Sequence, residues 1–475
     1  MQSKLTFKIL AILGLGLLLM VPLMLVEGLI SERQNYRSQA VQDIASKWTG
    51  RQLVSGPLIQ LPWQHHYQKK VWNSDKEQYE VKGQKASGTL ILRPESLNVD
   101  SAITTSTRRR GIYRIPVYSS EVALQGQFSS AGMVAFGRDR QETMGGSIRW
   151  GKPTLLLLVS DMRGIIEVPQ LEWNQQVLPF APGVKLGNET QGVHAVIPLP
   201  DDSKVITYSF KLGLKLRGME QLQITPLGKS SQISMQSDWP HPSFNGRHLP
   251  QHYETSAEGF SASWVTSPYS GDLNKVIEDC QQRSHCALNG YGVGAELIQP
   301  VDNYVQAERS VKYGLLFIVL TFIAFFLFEV LKKLQIHPVQ YAMVGLALSV
   351  FYLLLVSLSE HMNFMLAYSL STLACALLLC SYLAAVLGSL LRGGLFALGI
   401  SLLYLLLYVI ISSEDFALLM GATLIFAALA TLMLMTRGVD WYQLATAQAG
   451  EMTAAVRVEA GGENTQPGSA GGDKK

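Results

Sequence analysis

The feature that most constrains this chain is an apolar block from Tyr313 to Met435, which consists of five hydrophobic runs separated by very short polar breaks. Each run holds roughly 17–25 residues, and at a rise of about 1.5 Å per residue such a helix spans the ~30 Å of hydrocarbon in a bilayer. Helices in the core of a water-soluble domain do not need this length five times in succession. The block therefore predicts a bundle of membrane-spanning helices.

The N-terminal stretch predicts a sixth span. Lys4 and Lys8 precede an apolar run from about Ile9 to Ile30, which contains Pro22. The run is about 22 residues long, longer than the apolar centre of a signal peptide, and no small-x-small cleavage site follows it. We therefore interpret residues 1–30 as a cytoplasmic stub and an uncleaved anchor, kinked at the proline, rather than as a cleaved signal peptide.

The positions of lysine and arginine predict the orientation of the spans. Every break assigned to the inner side carries Lys or Arg, whereas the short outer breaks carry acidic residues without them. By the positive-inside rule, the six transmembrane helices then have both termini in the cytoplasm. Residues 31–312 then lie on the outer side of the membrane, and residues 313–442 form a five-helix bundle. The Gly- and Ala-rich tail, 443–475, is predicted to be disordered and cytoplasmic.

Residues 31–312 have the pattern of a β-rich domain. An amphipathic helix is predicted from about residue 30 to 48, and from about 51 to 305 short alternating or β-branched runs are separated by turn residues. In Lys204–Leu216, for example, the even-numbered residues from Ile206 to Leu214 are apolar or aromatic and face one side of a strand. We predict a large antiparallel, sandwich-like domain of one or two lobes.

The composition excludes some classes of function and indicates no reaction. Charged residues make up only 16% of the chain and the net charge is +3, so nothing suggests a nucleic-acid partner. The sequence contains neither a Gly-x-Ser-x-Gly elbow nor a His-Glu-x-x-His helix. We therefore predict a protein without catalytic residues, cofactor or metal.

One short stretch of the β-rich region combines aromatic rings with two prolines. The prolines hold the backbone in an extended or turned path. Three interpretations stay open: a structural corner with buried aromatic rings, a recognition loop, and catalysis by the histidine. The candidate loop consists of Trp239, Pro240, His241, Pro242, Ser243 and Phe244.

The four cysteines fall into two pairs. Cys280 and Cys286 lie in the proposed outer domain, where an oxidising compartment would allow a disulfide across a small loop. Two free thiols, or a metal site with His285, are the alternatives. Cys375 and Cys380 lie within a predicted span and are interpreted as packing residues.

Ionisable residues are scarce within the spans. Within the five-helix bundle, Glu329 is the one acid well inside a run, near its inner end, and Lys332 and Lys333 follow on the same helix face. This spacing predicts a local ion pair at the membrane edge, with the lysines extending towards the interface. Because a coupled carrier usually keeps ionisable groups near mid-membrane, the pattern disfavours such a transporter.

Several stretches together resemble the CreD family of bacterial inner-membrane proteins. The resemblance runs from about Lys8 to Trp441–Tyr442. It is carried by the following residues: Ile30–Arg33, Tyr36-Arg37, Gly56–Ile59, Trp239–Phe244, Phe325–Glu329, His337–Tyr341, Phe351–Leu355 and Leu358–His361.

The resemblance implies a Gram-negative inner-membrane protein with a large periplasmic domain. It also implies a role in cell-envelope integrity, a stress response and expression under a two-component system, without known catalytic residues. We therefore expect non-enzymatic binding or scaffolding through the β-rich domain, with membrane lipid and a periplasmic or envelope protein as partners. The alternative is a transporter or flippase that moves a lipid or envelope precursor through the bundle. A hydrolase built around His241 is a third hypothesis.

Overall fold

The computed structural model describes residues 3–75, 77–269, 273–282, 286, 288–299, 303–332, 336–413 and 416–437. It divides into two compact units, one formed by residues 1–36 and 301–475 and the other by residues 37–300. The first contains the apolar helices and is called the helical unit here, and the second is called the β domain. The predicted tail, 443–475, lies outside the described residues.

Among the described residues, six helices are long and apolar enough to cross a membrane, as the sequence predicts. Two helices near the N-terminus form an almost continuous rod that contains the first span, and five more belong to the C-terminal part. The bounds are α1 Ser3–Leu18, α2 Met20–Lys47, α5 Asn303–Lys332, α6 Pro338–Ser359, α7 Phe364–Val386, α8 Leu390–Ser412 and α9 Ala417–Thr436.

One helix boundary differs from the sequence-based expectation, and one interruption agrees with the kink predicted at Pro22. The helix that contains the second span begins at Asn303, ten residues before the apolar block at Tyr313. The rod formed by α1 and α2 is interrupted at Leu19, shortly before Pro22. Because a proline has no N–H to donate to the carbonyl four residues earlier, the helix loses a hydrogen bond at Leu18, and the interruption lies there.

Aromatic residues fill the centre of the helical unit. Phe351 lies 4.1 Å from Tyr404 and 5.5 Å from Tyr368, measured between ring centroids. The buried Tyr368 hydroxyl donates a hydrogen bond to the carbonyl of Tyr404 at 2.7 Å, which joins α7 to α8. Polar hydroxyls inside an apolar bundle are therefore satisfied partly by backbone carbonyls.

The β domain contains long strands and two further helices, α3 Ala131–Met144 and α4 Leu273–Gln282. Short 3₁₀ turns lie at Met162–Gly164 and Leu288–Tyr291. The strands are β1 Gln52–Asn73, β2 Gln78–Leu92, β3 Ser96–Arg110, β4 Tyr113–Ser129, β5 Ser147–Trp150, β6 Thr154–Val159, β7 Gln170–Trp173, β8 Gln176–Pro179, β9 Ala181–Pro182, β10 Gly192–Val196, β11 Thr207–Met219, β12 Gln221–Thr225, β13 Ser230–Ser237, β14 Pro242–Gly246, β15 His252–Ser256, β16 Gly259–Thr266 and β17 Val293–Leu297.

These strands form two sheets. The nine-stranded sheet has the order β14-β17-β12-β1-β6-β10-β9, with β2 and β5 also paired to β1. The eight-stranded sheet has the order β15-β16-β13-β3-β4-β11-β7-β8. The β-rich fold class is confirmed, but the sheets are mixed rather than purely antiparallel, because β1 pairs with β12 and β3 with β13 in parallel. Such parallel pairs join segments distant in sequence, which a local alternation cannot reveal.

Apolar side chains of both sheets form one core. Leu155 and Leu157 of β6 belong to the same buried cluster as Leu124 of β4 and Leu212 of β11. In β11 the residues from Phe210 to Leu216 alternate between buried and exposed. The alternation predicted from the sequence therefore sets which side of the eight-stranded sheet faces the core and which faces solvent.

One of the stretches that resemble CreD proteins begins at Gly56, where the backbone conformation and the close packing require a glycine. Its φ is +141°, a region that residues with a side chain rarely adopt. A Cβ atom there would lie 3.0 Å from the carbonyl oxygen of Leu156 on the neighbouring strand. The register of β1 against β6 shifts at this point, between Ser55 and Leu58.

The sequence interpretation missed helix α3. Met133 is fully buried, and Phe136 packs between Trp63 of β1 and Trp150 of β5 with centroid distances of 5.2 and 6.1 Å. Arg140 lies over the Trp63 ring at 4.7 Å. Two glycines interrupt the apolar pattern of α3, so its sequence does not show the periodicity of an amphipathic helix. Contacts with the sheet stabilise this helix instead.

Candidate functional site

A groove crosses the solvent side of the eight-stranded sheet in the β domain. Its volume is about 690 Å³, and it runs over β13, β3, β4 and β11 to the segment that precedes β7. The strand register places Ser234, Asp100, Ala123 and Gly213 side by side in one row across these four strands. The groove is therefore formed by the regular pairing of strands that are buried on their other side.

Small side chains form the floor of the groove. Ala102, Ala123 and Gly213 occupy outward-facing positions where larger side chains would fill the space. A Cβ atom added at Gly213 would meet no other atom within 4 Å. Glycine within a strand weakens it and often marks a place where another molecule approaches closely.

Carboxylates dominate the charged rim. Asp100, Glu121 and Glu167 line the groove together with one lysine, Lys215. The Lys215 Nζ lies 2.9 Å from Glu167 and 3.8 Å from Glu121. The hydrogen bond to Glu167 raises the pKa of Lys215 above its ordinary value, so the lysine stays charged at neutral pH. With three carboxylates against one ammonium, the rim favours cations.

A second depression continues the groove along the same sheet. Its volume is about 840 Å³, and it shares Ala102 and Gln236 with the first. Three further carboxylates line it: Asp238, Glu254 and Glu258. The Asp238 carboxylate accepts hydrogen bonds from the backbone N–H of Thr105 at 2.9 and 3.2 Å. Together the two depressions form one extended surface of negative charge, called the acidic groove here.

The predicted Trp239–Phe244 loop forms a corner that leads into β14. Trp239 is half-buried against the core, and its indole N–H donates to the carbonyl of Ile298 at 2.9 Å. Phe244 packs on Tyr253, Phe260 and Trp264 at centroid distances of 5.3–5.9 Å. These contacts favour the structural-corner interpretation, because neither ring is presented freely to solvent.

The other residues of this loop have mixed environments. Pro242 and Ser243 pair with Leu297 and Glu296 of β17, and Pro240 is half-buried. His241 is exposed, and its ring makes no hydrogen bond within the described part of the chain. A recognition role for the loop therefore stays a prediction that rests on His241 and the adjoining backbone.

The structure joins Cys280 and Cys286 by a disulfide, with the sulfurs 2.08 Å apart. Both are buried in a second apolar cluster with Ile277, Leu288 and Leu58. Among the described residues, no group of three or more His, Cys, Asp and Glu side chains could hold a metal ion. His285, considered above as a ligand, lies outside them.

Glu329 is the centre of a polar cluster at one end of the helical unit. It is 7% exposed and forms an ion pair with Lys8 of α1. Tyr341 of α6 donates its hydroxyl hydrogen to the carboxylate at 2.8 Å, and the N–H of Ile336 donates at 3.1 Å. The Lys8 ammonium also donates to the carbonyl of Ile336 at 2.7 Å.

The predicted partners of Glu329 were its neighbours Lys332 and Lys333. The side chains of both lysines lie outside the described residues. The sequence did not reveal Lys8 as the partner of Glu329, because 321 positions separate the two residues.

The cluster brings together two of the stretches that resemble CreD proteins. His337 caps α6: its Nδ1 accepts from the N–H of Val339, and Gln340 accepts in return from the N–H of His337. The cap starts the helix so that Tyr341 reaches back to α5, where its ring lies 4.7 Å from Phe325. Capping a helix start in this way satisfies N–H groups that have no partner within the helix.

A second cluster binds α2 to the other end of the helical unit. Arg33 lies 3.1 Å from Glu360, which also accepts a hydrogen bond from the Tyr304 hydroxyl at 3.4 Å. Asn303, the first residue of α5, donates to the carbonyl of Ser359 at 2.6 Å. The N-terminal helices are thus held to the bundle by polar contacts at both ends.

Sequence reasoning missed the acidic groove. The one available signal was the presence of small residues at outward positions of three strands, Ala102, Ala123 and Gly213. Alternation shows that each faces outwards but not that they are neighbours, because the pairing register was unknown.

Comparison with solved structures finds remote likeness to a zinc metallopeptidase. Two crystal structures of an M1 zinc metallopeptidase from Deinococcus radiodurans match with TM-scores of 0.18 and 0.19 and 10% identity. Each match covers 37% of this chain and 38% of that chain. Scores this low carry no information about fold or function.

Comparison at the sequence level is decisive. The family model for the inner membrane protein CreD matches residues 4–442. The inner membrane protein CreD of Escherichia coli (strain K12) is 35% identical over 443 residues, which cover 93% of this chain and 95% of that protein. With its six apolar helices, the chain is a multi-pass inner membrane protein that belongs to the CreD family.

Proposed function

We propose that this protein is a non-enzymatic binding protein of the bacterial envelope, and that its β domain holds a cationic envelope component in the acidic groove. The helical unit serves as the anchor. The observation that carries the proposal is the open floor of small residues on three neighbouring strands with carboxylates beside it. A rigid sheet surface of this kind suits reversible recognition of a complementary charge.

The sign of the groove's charge gives the class of ligand. Six carboxylates and one lysine line the two depressions. Attraction between an exposed surface of this charge and a cation acts over about one Debye length, roughly 10 Å at moderate salt. A basic peptide segment or another polycation therefore fits the groove better than an anionic lipid headgroup or a nucleic acid.

The transporter alternative depends on the helical unit. A cavity of about 530 Å³ lies between α1, α5 and α9, and apolar residues such as Leu17, Phe322 and Phe326 line it. This lining suits an acyl chain, whereas a flippase needs a polar path for a headgroup. The cavity therefore supports contact with membrane lipid as a partner more than it supports transport.

A binding measurement with a defined probe tests the proposal. The full chain would be placed in nanodiscs of neutral phosphatidylcholine, and anisotropy of a fluorescent peptide of alternating lysine and alanine would give its Kd. Changing Asp100→Asn with Glu121→Gln should raise Kd about tenfold at low salt, because two rim charges are lost. Lys215→Gln should lower Kd, because it frees Glu167 and Glu121 from their ion pairs.

A matched control separates the groove from net charge. The pair Asp139→Asn and Glu142→Gln removes the same two charges from exposed positions on α3, outside the groove. We expect a much smaller change in Kd from this pair at the same low salt concentration. An equal loss from both pairs, or no binding by the unaltered chain, would reject the proposal.

Photo-crosslinking tests the proposal in cells. A photoreactive residue at Ala123 lies on the groove floor, and one at Lys211 lies on the same solvent side of β11, outside the groove. A product that forms from position 123, is absent from 211 and disappears with Gly213→Trp would support binding in the groove. Capture that persists after the groove is filled would contradict it.

The proposed orientation places the β domain in the periplasm and both termini in the cytoplasm. The asymmetry of Lys and Arg between the short breaks supports it. The disulfide between Cys280 and Cys286 is also typical of an oxidising compartment. Alkaline-phosphatase fusions within residues 37–300 should be active, and activity only in fusions after Arg437 would reverse the assignment.

A further inference from the structure

The hairpin formed by β1 and β2 extends beyond the sheet that supports its base. The two strands pair continuously from Ile59 with Leu92 to Asn73 with Gln78. On its other side β1 pairs with β5 only as far as His66. Residues 67–73 and 78–84 therefore form a two-stranded arm that has no third strand among the described residues, with Lys85 at its base. Such a ribbon is marginally stable in water by itself, which suggests that another surface supports it.

The two faces of this arm differ in chemistry. Alternation along the paired strands defines each face. One face carries Lys70, Trp72, Tyr79, Val81 and Lys85 and contains no carboxylate, and we call it the aromatic face. The opposite face includes Glu80, which pairs with Lys82 at 4.0 Å.

Three large apolar side chains of the aromatic face are exposed together. Trp72, Tyr79 and Val81 are 53%, 68% and 57% exposed. The Trp72 and Tyr79 rings contact each other edge to face at a centroid distance of 5.1 Å, so they are already arranged as a pair. Adjoining exposed apolar groups, unlike scattered single ones, typically mark a contact surface.

Edge protection explains only part of this arm. Lysines on unpaired strands discourage strand-to-strand aggregation, and Lys69 and Lys82 fit that role. Exposed tryptophan, tyrosine and valine side chains do not protect a strand from aggregation, because they promote association. The aromatic face therefore requires a partner that accepts both apolar rings and positive charge.

We propose that the aromatic face of the arm lies on the surface of an anionic phospholipid bilayer. Trp and Tyr prefer the headgroup level of a membrane, where the ring is partly buried and its polar atom stays wet. Lys70 and Lys85 supply the charge that attracts anionic lipid. The helical unit keeps a bilayer permanently linked to the β domain, which gives this partner a high effective concentration.

The carboxylates of the arm specify how it contacts lipid. Asp75 and Glu77 lie in the turn on either side of Lys76 in the sequence, so the turn has a net negative charge, and Glu80 lies on the face opposite the aromatic rings. A turn-first insertion would bring the two turn acids against anionic headgroups, which is unfavourable. The arm therefore rests on the bilayer by its aromatic face, with the turn close to water.

Site-specific fluorescence tests this arrangement on the full chain. An NBD label at Val81→Cys reports the aromatic face, and one at Gln78→Cys reports the opposite face nearer the turn, in a Cys375→Ala, Cys380→Ala background. Each protein would be placed as a single copy in nanodiscs of phosphatidylcholine, with or without phosphatidylglycerol. We expect a blue-shifted emission at position 81 with phosphatidylglycerol, and emission typical of water at position 78.

Three variants sharpen this experiment. Trp72→Ser with Tyr79→Ser should abolish the shift, and Lys70→Gln or Lys85→Gln should each lower the ratio of lipid-bound to free arm about fivefold. Equal shifts at both positions, or in both lipids, would overturn face-on contact with anionic lipid. A shift that appears only in discs with two copies, or only after adding a soluble envelope extract, would assign the surface to a protein and overturn the proposal. None of these readouts involves the acidic groove.

Discussion

Charged side chains have opposite arrangements in the helical unit and in the acidic groove. Glu329 is buried and contacted by Lys8, Tyr341 and the backbone of Ile336, so its charge is compensated within the chain. The groove instead exposes several negatively charged carboxylates, and among its described lining residues Lys215 is the one that carries a positive charge. A compensated charge holds helices together, whereas an uncompensated one is available to a ligand. The difference predicts which substitutions alter stability and which alter binding.

The largest effect is expected at Glu329. Glu329→Ala removes the carboxylate and leaves the Lys8 ammonium without its counter-charge in an apolar environment. Breaking a buried ion pair in this way typically costs about 3 kcal/mol. We expect a lower unfolding temperature of the chain in detergent and a lower amount in the membrane.

A double substitution distinguishes the ion pair from a general packing defect. Lys8→Met combined with Glu329→Met replaces both charges by apolar groups, which is often close to neutral for stability. We expect the double variant to be more stable than Glu329→Ala. If Lys8→Met and Glu329→Met had additive effects, the pairing of α1 with α5 would be contradicted.

The next largest effect is expected at the Trp239–Phe244 corner. Trp239→Ala or Phe244→Ala should destabilise the β domain by about 2 kcal/mol, because each removes a half-buried ring from the core. His241→Ala should change stability by less than about 0.5 kcal/mol, since this side chain is exposed. Thermal unfolding of the three variants measures the contrast. A loss of partner contact from His241→Ala at unchanged stability would revive the recognition hypothesis.

How far the sequence predicts this structure depends on the range of each interaction. Spans follow from the apolar length of one segment, and buried faces such as that of Phe210 to Leu216 follow from alternation within one strand. The Lys8–Glu329 pair, the parallel pairing of β1 with β12 and the pairing of Ser234 with Asp100 in the acidic groove all join residues more than 100 positions apart. Local patterns carry no information about such partners, which is why the predicted partners of Glu329 were its sequence neighbours.

A smaller, pH-dependent effect is expected at Asp161. Arg163 and the N–H of Gly50 bond to its carboxylate, and the contact with Arg163 is the main cause that lowers its pKa. Because the pKa of Asp161 is lower in the folded state than in the unfolded state, where it is about 4, the ionised carboxylate stabilises the fold at pH values above about 4. This stabilisation is lost as the pH falls through the pKa of the folded state. Asp161→Asn should flatten the pH dependence of unfolding below about pH 4. An unchanged acid profile would contradict this contact.

The smallest effect on stability is expected where the largest effect on binding is proposed. Asp100→Asn and Glu121→Gln alter exposed side chains of the groove, so the free energy of unfolding should change by less than about 0.5 kcal/mol. Relief of repulsion between like charges could even raise it slightly. Chemical denaturation of the double variant beside the Asp139→Asn, Glu142→Gln control measures this. A loss of more than about 1 kcal/mol from the groove pair alone would show that these acids support the fold, as Glu329 does. The contrast between compensated and available charge would then fail, because both regions would use their carboxylates for the same purpose.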